Sequence, residues 1–214
     1  MEKIWKAPIS EGTERKIMGL ITTREGSRLL DFGAGYGRYL KMFSNHFRSE
    51  NLYGAEIDEE AIKEIRKQGF NCYKPDYDKA EIPYEDNFFD YIFCSNVVEH
   101  IPRRYYLKYL EEFYRVLKHS GRLIIGTPNY PVKRLYDLKK AFDTKMFRYY
   151  FFDDPTHVNK LSIKQLERDL REVFPVVKLE PTYIFFENNI GWIKRNREKL
   201  RLIGDKISGY CDKE

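Results

Sequence analysis

Three glycines at alternate positions, Gly33, Gly35 and Gly37, follow an apolar run in the stretch LLDFGAGYG, with Asp31 just before them. Glycine carries no Cβ and tolerates positive φ, so this spacing lets a backbone turn sharply and come close to a ligand. A loop of this kind, leading from a strand into a helix, is a binding loop. The spacing is GxGxG, whereas a dinucleotide fingerprint would need glycine where this chain has Arg38. Nicotinamide and flavin sites are therefore disfavoured. Roughly 20 residues further on, a spacing typical of nucleoside sites, Glu56 closes the apolar stretch NLYGAEI. A carboxylate at such a strand end can accept hydrogen bonds from both hydroxyls of a ribose. Alone, each feature is an ordinary strand-to-helix turn or a solvated carboxylate; together they read as a nucleoside site.

These residues need a scaffold to hold them. RLLDF reads as a strand buried on both faces, and GRYLKMFSNHF, after the loop, as a helix. NLYGAEI is a second strand, and DEEAIKEIRKQG a helix with an acidic first turn and a stop at Gly69. A short third strand, an acidic loop holding Asp76 and Asp78, a turn at Pro83 and a fourth strand over residues 89–94 come next. RRYYLKYLEEFYRVLKHSG predicts a long amphipathic helix with Tyr106, Leu110, Phe113 and Leu117 on one face and Gly121 as its stop, and RLIIGTPN a fifth strand. Strands and helices thus alternate, with ligand-type residues at the C-terminal ends of successive strands. That order predicts an α/β protein with a doubly wound sheet.

The ends of the chain are less regular. The opening segment to about residue 23 reads as a helix behind Ser10 and Thr13. Residues 130–160 break the alternation with a run rich in aromatic and basic side chains. Lying after the fifth strand, they are expected either to fold over the site as a lid or to form a satellite core under a long loop. SIKQLERDLREVF predicts a helix capped by Ser162; VVKLE and TYIFFEN are strand candidates, WIKRNREKLRLIG is a basic helix, and KISGYC a candidate last strand. The expectation is one domain over residues 1–214, with its core in about 24–128 and 161–187.

Composition sets the class. In 214 residues there are 17 Tyr, 15 Phe and 33% charged side chains, which is a globular rather than a disordered balance. A formal charge of +5 permits an anionic partner without requiring one. Cys72, Cys94 and Cys211 are scattered and odd in number, which predicts reduced thiols and a cytoplasmic protein. The N-terminal stretch has no apolar core of signal-peptide length, and no run is long enough for a membrane span. No Cys, His or carboxylate cluster has metal-ligand spacing in the sequence, so no metal is expected.

From residue 28 to residue 174 the chain resembles the class I S-adenosylmethionine-dependent methyltransferases, in particular the branch acting on small molecules, quinone precursors and glycans. LLDFGAGYG looks like that family's glycine motif, GAEID like its acidic second-strand motif, and IPYEDNFFDYIFCSNVVEHI like the segment through its fourth strand. YRVLKHSGRLIIGTPN resembles the following helix and strand, and DDPTHVNKLSIKQLERDL a segment of the glycan and small-molecule branch. The resemblance implies a Rossmann-like, seven-stranded sheet and the cofactor S-adenosyl-L-methionine, with S-adenosyl-L-homocysteine as product. It implies that Asp31 and the backbone of Gly33, Ala34 and Gly35 surround the methionine part. By the same resemblance Glu56 holds the ribose and Ile57 packs on the adenine. Asp76 with the backbone of Tyr77 reads the adenine amino edge, Asp78 being the alternative register, and Asn96 lies near the methyl sulfonium.

Methyl transfer from a sulfonium demands little equipment, because alignment of the acceptor and exclusion of water do most of the work. A general base is needed only when the acceptor arrives protonated. The candidates are His100 and His157, since imidazole titrates near neutral pH, and Glu99 could orient the acceptor. Either histidine could equally be a hydrogen-bonded structural residue. SNVV stands where amino-methylating nucleic-acid enzymes carry Asn or Asp, Pro-Pro and an aromatic, and Cys94 lies inside a strand rather than at a site for a nucleophile. A small-molecule or glycan acceptor methylated on O or N is the main expectation. RNA or protein methylation, drawing on the basic residues 194–201, and a non-catalytic cofactor-binding scaffold are the alternatives.

Overall fold

The computed structural model describes residues 9–76, 78–130, 132–145, 154–182 and 206–213. Its seven strands are β1 (Leu29–Phe32), β2 (Leu52–Ala55), β3 (Asn71–Tyr73), β4 (Phe89–Ser95), β5 (Leu117–Pro128), β6 (Val176–Thr182) and β7 (Lys206–Asp212). They form one sheet in the order β3-β2-β1-β4-β5-β7-β6. The first five pair in parallel, and β7 runs antiparallel to both β5 and β6. The expected doubly wound, seven-stranded α/β sheet is what forms. The strand order reverses between β1 and β4, so a crevice opens at their C-terminal ends, where sheets of this type bind ligands.

Alternation along the central strands explains the two layers. Leu30, Ile92 and Leu123 face one core, which α4 (Arg103–Val116) and α6 (Ile163–Arg171) cover with Tyr106, Leu110, Phe113, Leu166 and Leu170. Leu29, Phe93 and Ile124 face the other, covered by α2 (Arg38–Phe43) and α3 (Glu59–Lys67) through Leu40, Phe43, Ile62 and Ile65. Strands buried on both faces read as continuous apolar runs, as RLLDF and RLIIG do.

The helix ends follow their capping chemistry. Asp58 caps α3 by accepting from Ala61 N–H, and Ser162 forms a reciprocal capping box with Gln165 at the start of α6. Three boundaries differ from the sequence expectation. The first helix, α1 (Glu11–Met18), stops at Gly19 rather than near residue 23, and Thr22 is tied instead to the Tyr91 hydroxyl in β4. The α4 helix ends at Val116, short of Gly121, because Leu117 already pairs with Phe89. Between that pairing and the resumption at Tyr91 and Arg122 the register shifts, with Ser120 at φ +61°, so Gly121 serves a strand irregularity instead of a helix stop. The fourth strand also runs one residue further, to Ser95.

After β5, α5 (Val132–Thr144) accounts for the first part of the aromatic and basic segment. Residues 154–160 return to the sheet's C-terminal edge, where Asn159 N–H donates to the Glu99 carbonyl and its side-chain amide to the Val98 carbonyl. KISGYC is β7, and VVKLE lies in β6; the basic helix expected from WIKRNREKLRLIG lies outside the described residues. No helix among the described residues is long and apolar enough to cross a membrane.

Candidate active site

The glycine loop leaves β1 at φ +82° on Gly33 and enters α2 through Gly37, whose φ of +79° makes it a left-handed N-cap. Gly33 is required twice over. Beyond its φ, a Cβ there would lie 2.1 Å from Val97 Cγ2, so the loop after β4 presses directly on the loop after β1. Gly33 and Ala34 N–H both donate to the Ala55 carbonyl, at 2.8 and 3.0 Å, which fastens the loop to the end of β2. Gly35, at φ +52°, has no atom within 4 Å of where its Cβ would stand. Its backbone faces open space, as a ligand cradle must.

Glu56 stands one residue beyond β2 and joins the two loops. One carboxylate oxygen accepts from Gly35 N–H at 2.7 Å, and the other from Ile57 and Asp58 N–H at 2.7 and 3.1 Å. Three backbone donors fix the carboxylate at the mouth of the crevice, where its remaining lone pairs can meet ribose hydroxyls. Ile57 beside it is 47% exposed, an apolar side chain of the kind that a flat base can cover.

Asp31 ends the apolar floor of the site. It is 1% exposed, and its Oδ2 has no hydrogen-bond partner among the described residues. Burial first, and then the negative charge of Glu56, push its carboxyl up to about 8, against the opposing pull of Arg38. A buried acid without a partner costs free energy unless something satisfies it, and a bound cation would. The α-ammonium of a methionine moiety is such a group. With the open face of Gly35 and the anchored Glu56, this donor and acceptor set fits S-adenosylmethionine.

Asp76 lies in the loop after β3, the strand that pairs with β2 before the Glu56 turn. Its carboxylate accepts from Asp78 N–H and lies 3.5 Å from Lys79 Nζ. Asp78 is engaged by the Tyr105 hydroxyl at 2.7 Å. Tyr77 lies outside the described residues.

The other side of the crevice is built by the turn after β4. Asn96 adopts φ +56° and donates its N–H to the Gly126 carbonyl at 2.7 Å, so a strained residue sits where β4 meets the crevice. Val97 packs on Gly33, and a 3₁₀ turn, Val98–His100, follows. Here the two histidines from distant segments meet, their ring centroids 4.7 Å apart and their planes at 74°. His100 Nδ1 lies 3.2 Å from the Thr156 carbonyl, and His157 Nδ1 2.5 Å from the Tyr130 hydroxyl. Glu99, 1% exposed, accepts from the Thr127 hydroxyl at 3.0 Å, and burial pushes its carboxyl above the usual range. Thr127 and Tyr130 were missed in the sequence. Their signal was only their position at the end of β5, the strand beside the turn that carries Glu99.

Cys94, by contrast, is fully buried within β4 and its thiol is pushed up by desolvation, so it is no nucleophile.

Comparison with known proteins gives the family and the fold. A methyltransferase domain family matches residues 10–173. The chain is 29% identical over 133 residues to 27-O-demethylrifamycin SV methyltransferase of Amycolatopsis mediterranei, covering 56% of this chain and 46% of that protein. It is 32% identical over 129 residues to glycine/sarcosine/dimethylglycine N-methyltransferase of Actinopolyspora halophila, covering 57% of this chain and 22% of the relative. These matches span less than half of each relative's length. In fold, an Archaeoglobus fulgidus SAM-dependent methyltransferase superposes with a TM-score of 0.66 at 24% identity, covering 95% of this chain and 94% of that one.

Proposed function

The chain belongs to the methyltransferase domain family matched over residues 10–173, a S-adenosylmethionine-dependent enzyme family, and from that premise we propose that it methylates an oxygen or nitrogen of a small molecule or sugar. The observation that carries the proposal is Asp31, a buried carboxyl whose Oδ2 has no hydrogen-bond partner among the described residues, set under a glycine loop that Glu56 fastens. S-adenosylmethionine supplies a methyl group already activated on a sulfonium. In this reading Asp31 takes the ammonium, the loop backbone of Gly33 to Gly35 cradles the methionine part, and Glu56 holds the ribose. Ile57 packs on the adenine, with Asp76 at its edge. Asn96 borders the reacting centre, between the glycine loop and the acceptor side.

The chain's remaining task is to place the acceptor in line and keep water out. Residues 154–160 close over the turn after β4 and act as the inner edge of a lid. An acceptor that arrives as a hydroxyl or ammonium must lose a proton, and His100, His157 and Glu99 are the groups gathered where that proton leaves. The two relatives named above, by their names a rifamycin methyltransferase and a glycine-derivative N-methyltransferase, support small acceptors. Incubation with methyl-labelled S-adenosylmethionine and panels of hydroxylated and amino acceptors tests the reading. Label should enter a small acceptor and leave RNA and protein unlabelled; label in RNA or protein alone would overturn it.

A further inference from the structure

We propose that Glu99, His100 and His157 form a site for one divalent transition-metal ion beside the methyl-transfer centre. Nothing in their sequence spacing marks them as a set. The fold brings one ligand atom from each to within 4.8 Å of the others. Three ligands on a tetrahedral ion at about 2.1 Å stand roughly 3.4 Å apart. Closing from 4.8 Å to that spacing needs a side-chain rotation, and His100 is the exposed member of the three.

The surroundings are those of a metal site. In each imidazole Nδ1 carries the positioning contact, to the Thr156 carbonyl for His100 and to the Tyr130 hydroxyl for His157. Outer partners of this kind orient ligating histidines. The third ligand, Glu99, is a carboxylate 1% exposed, held on one side by the Thr127 hydroxyl. An anion buried so deeply is costly, and a divalent cation offsets that cost. Two imidazoles with one carboxylate favour ions of the zinc, cobalt, iron and manganese series over magnesium or calcium, which take oxygen ligands.

The use of the ion rests on the reading of this face as the acceptor side; its binding does not. Three protein ligands leave a coordination position open for an acceptor hydroxyl. Coordination lowers the hydroxyl's pKa and its proton passes to solvent. The oxygen lone pair then forms the new C–O bond as the C–S bond breaks, and the bonding pair stays on sulfur. The site therefore points to a hydroxylated acceptor.

The test is titration of the chelator-stripped full chain with Co2+ alone, read by its visible spectrum, and with Zn2+ by calorimetry. One ion per chain is expected. His100→Gln and His157→Gln should each weaken binding tenfold or more, while His46→Gln, at the distant Glu14 pair, should not. Absence of binding to the wild type, or binding unchanged in both site variants, would overturn the proposal. S-adenosylmethionine titrations on the same samples check the fold of each variant and separate the two claims. Cofactor binding without metal binding refutes the ion alone, and metal binding without cofactor binding refutes the transferase reading alone.

Discussion

Replacing Asp31 with Asn should stabilise the cofactor-free protein while removing its affinity for the cofactor. Asp31 is fully buried, and its carboxyl is raised from 3.8 to about 8, chiefly by desolvation and next by Glu56. The folded chain therefore holds the Asp31 proton at pH values where the unfolded chain has lost it. The stability associated with that proton is fully present below pH 3.8 and is lost as pH rises towards 8. At 1.36 kcal/mol per unit, burying the wild-type group costs roughly 4 kcal/mol at pH 7, where it keeps its proton, and about 6 above pH 8, where it ionises. Asn carries no charge, so it escapes that cost, but its amide needs an acceptor and gives back about 1–3 kcal/mol. A net gain of about 1–3 kcal/mol is expected at pH 7, growing towards pH 8, vanishing between about pH 4.5 and 6 and reversing sign below that. Urea denaturation of both proteins from pH 4 to pH 9 measures it. The same linkage requires cofactor binding to release close to one proton at pH 6.5, since the ammonium needs the carboxylate form; calorimetry in buffers of different ionisation enthalpy counts it. A variant no more stable than wild type at any pH, with unaltered cofactor affinity, would falsify the assignment of Asp31 as the buried anion of the site.

Two further perturbations test how the scaffold holds the site. Gly33→Ala would place a methyl 2.1 Å from Val97 Cγ2 at φ +82°, so a loss of about 2–4 kcal/mol and of cofactor binding is expected. Val97→Ala added to it should recover part of the stability, and no recovery would mean that φ alone, not the contact between loops, sets the requirement. Arg103 forks onto Asp169, 1% exposed, at 2.5 and 2.8 Å, joining α4 to α6. Because Arg103 is 42% exposed, the cost of Arg103→Ala is set below that of a fully buried pair, at about 2–3 kcal/mol. Thermal melts showing a loss under 1 kcal/mol would mean that Asp169 finds another partner.

Much of this architecture was written in local sequence. Leu29, Leu30 and Phe32, like Leu123, Ile124 and Ile125, are apolar because both faces of their strands are buried, and the glycine spacing reports backbone geometry that no other residue adopts cheaply. Glu56 was legible because its neighbours in sequence, Ile57 and Asp58, are also its hydrogen-bond partners. What depended on long-range pairing was not legible in advance. The end of α4 is decided by Leu117 pairing with Phe89, and glycine at 121 misled because strand irregularities and helix stops use the same residue. The meeting of His100 with His157, and their positioning by Thr156 and Tyr130, exists only once residues 154–160 fold back on the β4 turn. The pairing of Arg103 with Asp169 likewise depends on α4 and α6 meeting in the fold.

The most direct measurement is calorimetric titration of S-adenosylmethionine, with NAD as control, into wild type and Glu56→Ala. The wild type should bind one S-adenosylmethionine per chain and ignore NAD. Loss of one charged hydrogen bond at Glu56, worth about 1.5–3 kcal/mol, should weaken binding by roughly 10- to 150-fold, and loss of both by more. Folded wild-type protein that fails to bind S-adenosylmethionine, or a Glu56→Ala variant that binds it equally well, would contradict the placement of the cofactor between the glycine loop and the end of β2.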